Sequence, residues 1–189
     1  MSTKVVQNHL VYLLDEENNT ARIIGNKSIR GNVFIPRSIN YKSTEYVITT
    51  ISEDAFLSTK IESIAFHNNS AIQTIENCAF NGSNIEYLII PPSLTDLQEG
   101  WCFGVSNLAN IIILPGNPNY KMYNDTFILS RANNDSKSFD TIIFCSRDAQ
   151  EVTIPNFIKV IDSYAFNFCE QLLEINFEEG SKLEIIKSN

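Results

Sequence analysis

The sequence predicts an α/β repeat solenoid: a parallel β-ladder on one side, short helical or 3₁₀ turns opposite, and a hairpin cap at the N-terminus. Two observations carry this. The phrase Ile-x-x-x-Ala-Phe recurs at Ile51–Phe56, Ile75–Phe80 and Ile161–Phe166, and each copy is followed at near-constant distance by a short aliphatic strand. Phe56 and Phe80 lie 24 positions apart, and a period of roughly 20–50 residues marks stacked repeats. A looser copy runs from Leu97 to Phe103, one residue longer, with Trp101-Cys102 in place of Ala. It puts Phe103 23 positions after Phe80.

The first element is the cap. Residues 9–24 read as a hairpin, apolar from His9 to Leu14, polar from Asp15 to Thr20 and apolar again from Ala21 to Ile24. A terminal repeat needs cover for its open face, so residues 1–32 are assigned as an N-terminal cap. Residues 33–189 are assigned as the solenoid, within one structural domain of five or six coils. Val33-Phe34-Ile35-Pro36 is an irregular first strand, and residues 39–50 a small excursion through Tyr41, Tyr46, Val47 and Ile48.

The regular strands are Ile64-Ala65-Phe66, Leu88-Ile89-Ile90, Ile111-Ile112-Ile113, Val152-Thr153-Ile154 and Ile175-Asn176-Phe177. Strand side chains alternate in direction, so the outer residues of each triplet point inward and the middle one outward. Pro36, Pro91 and Pro155 follow directly on such strands, and Pro115 comes one residue late. Proline cannot donate to a ladder and turns the chain away. The Ile-x-x-x-Ala-Phe half returns opposite, with Ala allowing close coil packing and Phe filling the interior.

Phe103 and Phe166 are 63 positions apart, one repeat of 23 plus 40 more. The excess is a hairpin insertion at about 117–148. It opens on the turn Asn117-Pro118-Asn119-Tyr120, and its strands 127–129 and 141–144 flank the polar tract 131–140. Leu183-Glu184-Ile185-Ile186 begins another coil that no Ala-Phe half completes. That leaves an open edge, read either as continuation in a longer protein or as a surface for a second copy of the chain.

These motifs, over roughly residues 33–186, resemble the BspA-like leucine-rich repeat family of bacterial and protozoan surface proteins. The resemblance rests on Ile-x-x-x-Ala-Phe, the following Leu-x-x-Ile-x-Ile-Pro pattern and the Asn117–Tyr120 interruption. It implies a leucine-rich repeat solenoid at a cell surface, with adhesion or host or matrix protein binding as its role. No secretory signal is visible in residues 1–17, because Asp15, Glu16 and Glu17 end the short apolar run. A cytoplasmic location is the alternative.

Composition excludes several classes. A net charge of −8 and a pI near 4.7 oppose a nucleic-acid interface and adsorption to anionic membranes. No apolar stretch approaches the ~20 residues of a membrane span. His9 and His67 are the only histidines, and no nucleophile–base, phosphate-loop or zinc-protease motif occurs. No catalytic, cofactor-binding or metal residues are assigned. Cys78, Cys102, Cys145 and Cys169 show no metal-ligand spacing and read as small buried hydrophobes, with a disulfide as the open alternative. Cys78 and Cys102, one repeat apart, are expected to stack. Six Asn-x-Ser/Thr sequons, at Asn18, Asn26, Asn68, Asn81, Asn124 and Asn134, are neutral.

The useful surface is the outward row of strand positions. Tyr87, Ile89, Asn110, Ile112, Leu114, Glu151, Thr153, Glu174 and Asn176 are the candidate partner-binding residues: an apolar patch bordered by acids. The sequence therefore reads as a non-catalytic protein-binding repeat module whose ligand is an unidentified protein. The alternatives are an intracellular scaffold or regulatory module, and an enzyme with its site in the 117–148 insertion. The insertion either covers the patch or leaves it free.

Overall fold

The structure, a computed structural model, describes residues 3–131 and 138–188. Most of the polar tract 131–140 and the sequon at Asn134 lie outside the described residues. The first strands are β1 (Thr3–Gln7), β2 (Leu10–Asp15), β3 (Thr20–Asn26), β4 (Arg30–Ile35), β5 (Ser38–Tyr41) and β6 (Thr44–Ile51). Then come β7 (Lys60–Phe66), β8 (Thr74–Ile75), β9 (Tyr87–Ile90), β10 (Asp96–Leu97) and β11 (Asn110–Ile113). The hairpin region supplies β12 (Tyr120–Tyr123), β13 (Phe127–Arg131) and β14 (Phe139–Cys145). The last are β15 (Glu151–Ile154), β16 (Val160–Ile161), β17 (Glu174–Phe177) and β18 (Ile185–Ile186).

Each coil contributes to two parallel ladders, which makes a β-solenoid of about seven turns rather than five or six. One ladder runs β4-β7-β9-β11, and the other β3-β6-β8-β10. Two shorter stacks follow, β15-β17 and β14-β16-β18. Alternation places Ile64, Phe66, Leu88, Ile90, Val152 and Ile154 in the core. In the last stacked strand it does not: Ile175 and Phe177 of the edge strand β17 remain 43% and 50% exposed.

The N-terminal segment is not a separate cap. β1, β2 and β3 pair antiparallel, but β3 also pairs in parallel with β6 and is itself a rung of the solenoid. Leu10, Tyr12, Leu14, Ala21 and Ile23 are consequently part of the main core.

The expected helical or 3₁₀ turns are also corrected, since the described residues contain no helix. The Ile of each phrase ends a strand or forms a two-residue one, and the rest is a ribbon of tight turns. Backbone hydrogen bonds close every second residue: Ala55 N–H to Ser52 O, Leu57 to Asp54 and Thr59 to Phe56. The pattern recurs from Ala79 to Ser83, Trp101 to Val105 and Ala165 to Cys169. A left-handed residue falls at every fourth position: Asp54 and Ser58, Cys78 and Gly82, Gly100 and Gly104, Tyr164 and Phe168. Positive φ at that interval stops right-handed helix propagation and flattens the segment into a layer.

This register realigns the looser copy. Trp101 alone occupies the position of Ala79, and Cys102, not Phe103, that of Phe80, so no residue is inserted. Gly100 is then the counterpart of Cys78, whose N–H donates to Gly100 O, and Cys78 and Cys102 are not stacked equivalents. The core column reads Phe56–Phe80–Trp101–Phe144, with ring centroids 5.6, 6.2 and 5.9 Å apart in turn. Phe166 packs on Phe127 in a second cluster, while Phe103 lies outside the column against Tyr164 and Phe168.

Two ladder breaks separate the stacks, where one continuous ladder was expected. At the free edge of β10 the Leu97 N–H donates to the Tyr120 hydroxyl at 2.7 Å, and that hydroxyl donates to Thr95 O. Burial pushes the Tyr120 phenol up to about 12, so it keeps the proton it donates. Beside β11, Arg147 N–H and the Ser146 hydroxyl donate to Leu108 O and Ala109 O. The β13–β14 hairpin stands between the two stacks and buries both faces. Ile128 and Phe144 enter one hydrophobic cluster, and Phe127, Leu129, Ile142 and Cys145 enter the other.

Two outcomes test this packing. Phe80→Ala should cost ~3–5 kcal/mol by denaturant titration, through lost burial and a residual cavity between Phe56 and Trp101. Gly104→Ala should destabilise by more than ~1 kcal/mol, because its φ is +72° and an added Cβ meets Asn81 Oδ1 at 2.3 Å and Gly82 N at 3.2 Å.

Candidate functional site: the outward face of the strand ladder

The four strands β4, β7, β9 and β11 present one side chain in two to solvent, and their register aligns these across coils. Phe34 pairs with Ala65, and Ile89 with Ile112. The pairing of Ser63 with Tyr87 and Ile64 with Leu88 carries Ala65 next to Ile89. The result is an apolar row, Phe34–Ala65–Ile89–Ile112, across all four strands. Phe34 is 58% and Ile112 45% exposed, and Ala65 and Ile89 are half-buried between them. A polar row runs beside it: Asn32, Ser63, Tyr87 and Asn110, with the Ser63 hydroxyl donating to Asn32 Oδ1 at 2.8 Å. His67 packs its ring edge-on against Phe34 at 6.4 Å.

The candidate residues fall into two groups. Tyr87, Ile89, Asn110 and Ile112 share the four-stranded sheet, and half-buried Leu114 follows β11 directly. Glu151, Thr153, Glu174 and Asn176 are exposed on the separate two-stranded sheet, where Glu151 pairs with Glu174 and Thr153 with Asn176. The hairpin region does not bury Ile112; its apolar residues point into the two cores instead. Phe34 was absent from the sequence-derived surface because Val33-Phe34-Ile35-Pro36 looked irregular. Its aliphatic-x-aliphatic-Pro spacing is nevertheless that of the regular strands.

A second constellation was invisible in sequence. Arg147 is 1% exposed. Its guanidinium lies over the Phe144 ring, 4.5 Å from the centroid. Nη1 shares its two hydrogens among Cys145 O at 3.0 Å, Ala165 O at 3.1 Å and Cys169 Sγ at 3.2 Å, and Nη2 donates to Cys102 Sγ at 3.4 Å. All four cysteines are free. Buried guanidinium is ordinarily paired with a carboxylate; here two carbonyls and two sulfurs fill that place. Hydrogen bonding from the Cys145 thiol, helped by Arg147, holds the Cys169 thiol below its usual range against the opposing effect of burial. The same thiol–thiol bond, then burial, pushes Cys145 up, and burial pushes Cys102 up.

Comparison with known proteins places the chain. Among solved structures, a leucine-rich repeat protein from Eubacterium ventriosum superposes with a TM-score of 0.56 at 18% identity, covering 96% of this chain and 61% of that one. A leucine-rich cell surface protein from Faecalibacterium prausnitzii (TM-score 0.43, 11% identity, 98% and 76% covered) and the pneumococcal vaccine antigen PcpA (0.44, 16%, 99% and 70%) are more distant likenesses. At such identities the likeness concerns the fold alone. The chain spans about three-fifths of the Eubacterium protein's length. No curated protein sequence matches it significantly. The model of the BspA-type leucine-rich repeat region matches residues 27–131 and 123–189, in 6 copies. The chain belongs to the BspA-type leucine-rich repeat family.

Proposed function

We propose that the chain is a non-catalytic protein-binding module whose ligand docks on the outward face of β4-β7-β9-β11. The observation that carries this reading is the in-register row Phe34–Ala65–Ile89–Ile112, which leaves large apolar side chains in water beside a polar rail. Exposed apolar groups with a polar border favour contact with a complementary protein surface. Repeat solenoids bind partners on such extended faces. The family resemblance favours a cell-surface setting, with adhesion or host or matrix binding as the role.

One observation favours the same binding role inside a cell: four free cysteines, two of them buried, suit a reducing compartment. Fractionation with protease shaving of intact source cells separates the settings, since surface protein is lost on shaving and internal protein is retained.

Pull-down from the source organism tests the site. Ile112→Asp and Phe34→Asp should each lower ligand retention about tenfold or more while leaving the unfolding midpoint unchanged. Unaltered retention in both would remove the face from consideration. Self-association through the edge strands β17 and β18 belongs to the same proposal, because Ile175 and Phe177 of β17 and Ile185 and Ile186 of β18 are exposed. Sedimentation should show a dimer that Phe177→Glu dissolves.

A further inference from the structure

The arrangement around Arg147 has a chemical consequence independent of ligand binding. A guanidinium stays protonated at any physiological pH. Arg147 holds that charge in the interior, and its Nε finds no partner among the described residues. The charged and titratable groups around it are Cys102, Cys145 and Cys169, with Asp148 next in sequence. Asp148 is exposed, and its Oδ1 shares the single Ser146 hydroxyl proton with Ala109 O. The guanidinium contacts two carbonyls and two sulfurs, and of these only a sulfur can carry a negative charge.

Access selects which one. Cys102 and Cys145 are buried at 4% and 0% exposure, whereas Cys169 is half-buried and makes the shorter of the two sulfur contacts to the guanidinium. Cys145 is its neighbour across the turn: Cys169 Sγ lies 3.8 Å from Cys145 O and 3.9 Å from Ser146 O, and Arg147 Nη1 bridges Cys145 O and Cys169 Sγ. A half-exposed sulfur beside a fixed cation, with a second thiol at hand, has the makings of a reactive pair.

We propose that Cys169 is a modification site: a thiolate paired with Arg147 that reduces a hydroperoxide and is then captured by Cys145 as a disulfide. In the first step the Cys169 sulfur attacks the outer peroxide oxygen and the O–O bond breaks. Cys169 becomes a sulfenic acid, and the remaining oxygen leaves as water or an alcohol after taking a proton. In the second, the Cys145 sulfur displaces that hydroxyl, which leaves as water with the Cys145 proton. Two electrons pass from the sulfurs to the peroxide. The bond ties β14 to the turn two coil-halves later and removes the anion facing Arg147.

The test uses the full reduced chain with hydrogen peroxide and iodoacetamide as probes, read by peptide mass spectrometry. At neutral pH, Cys169 should alkylate about tenfold faster than half-buried Cys78, which faces the carboxylates of Asp54 and Glu53. Peroxide should remove two hydrogens and join the Cys145 and Cys169 peptides. Cys145→Ser should give a sulfenic acid on Cys169 that dimedone traps, and Cys102→Ser should leave the disulfide intact. Arg147→Met should slow alkylation to the Cys78 rate if it folds. The wild-type and Cys145→Ser results decide the matter without it. Equal alkylation of Cys169 and Cys78, or oxidation that leaves Cys145 and Cys169 unjoined, overturns the proposal.

Discussion

The solenoid depends on one local constraint: a left-handed residue every fourth position in the four turn ribbons. That spacing keeps the segment from winding into a helix and lays it flat. Flat layers then hydrogen-bond to one another, as from Phe56 N–H to Ala79 O, Ser58 to Asn81 and Cys78 to Gly100. The layered turns hold Phe56 and Phe80 with centroids 5.6 Å apart. A helix about 10 Å across would not permit that approach on every coil. The parallel ladders opposite add direction and register, but the spacing between coils is set at the turns.

The binding face follows from the same register. Because successive strands pair without slippage between β7, β9 and β11, outward residues fall into rows rather than a scatter. A row of aliphatic and aromatic groups therefore needs only one suitable residue per repeat. The acidic pair Glu151 and Glu174 obeys the same rule on its own sheet, where like charges lie side by side at some cost to pairing. The two sheets are separate because Ser146 and Arg147 take the place of ladder contacts beside β11.

Strands were readable from the sequence, since aliphatic-x-aliphatic followed by proline leaves little but alternation. The turns were not. Of the eight left-handed positions in the four turn ribbons, only Gly82, Gly100 and Gly104 advertise themselves; Asp54, Ser58, Cys78, Tyr164 and Phe168 carry side chains. Ala-Phe at that spacing accordingly looked helical. Trp101 was misaligned because a bulky residue in an alanine position is less expected than an insertion. Phe34 was passed over for an irregular neighbourhood, not for wrong chemistry. Ser146-Arg147-Asp148 looks like a solvated turn, and nothing local shows that the guanidinium meets sulfurs 22 and 45 positions away.

The hairpin of β13 and β14 is shielded from water on both sides. Most surface strands have one face free to drift in evolution. Here neighbouring residues answer to different interiors, so a change at Ile128 is judged by one set of volumes and a change at Phe127 by another. A segment that resembles an interruption of the repeat is thereby the least replaceable stretch of it, a bulkhead rather than an ornament.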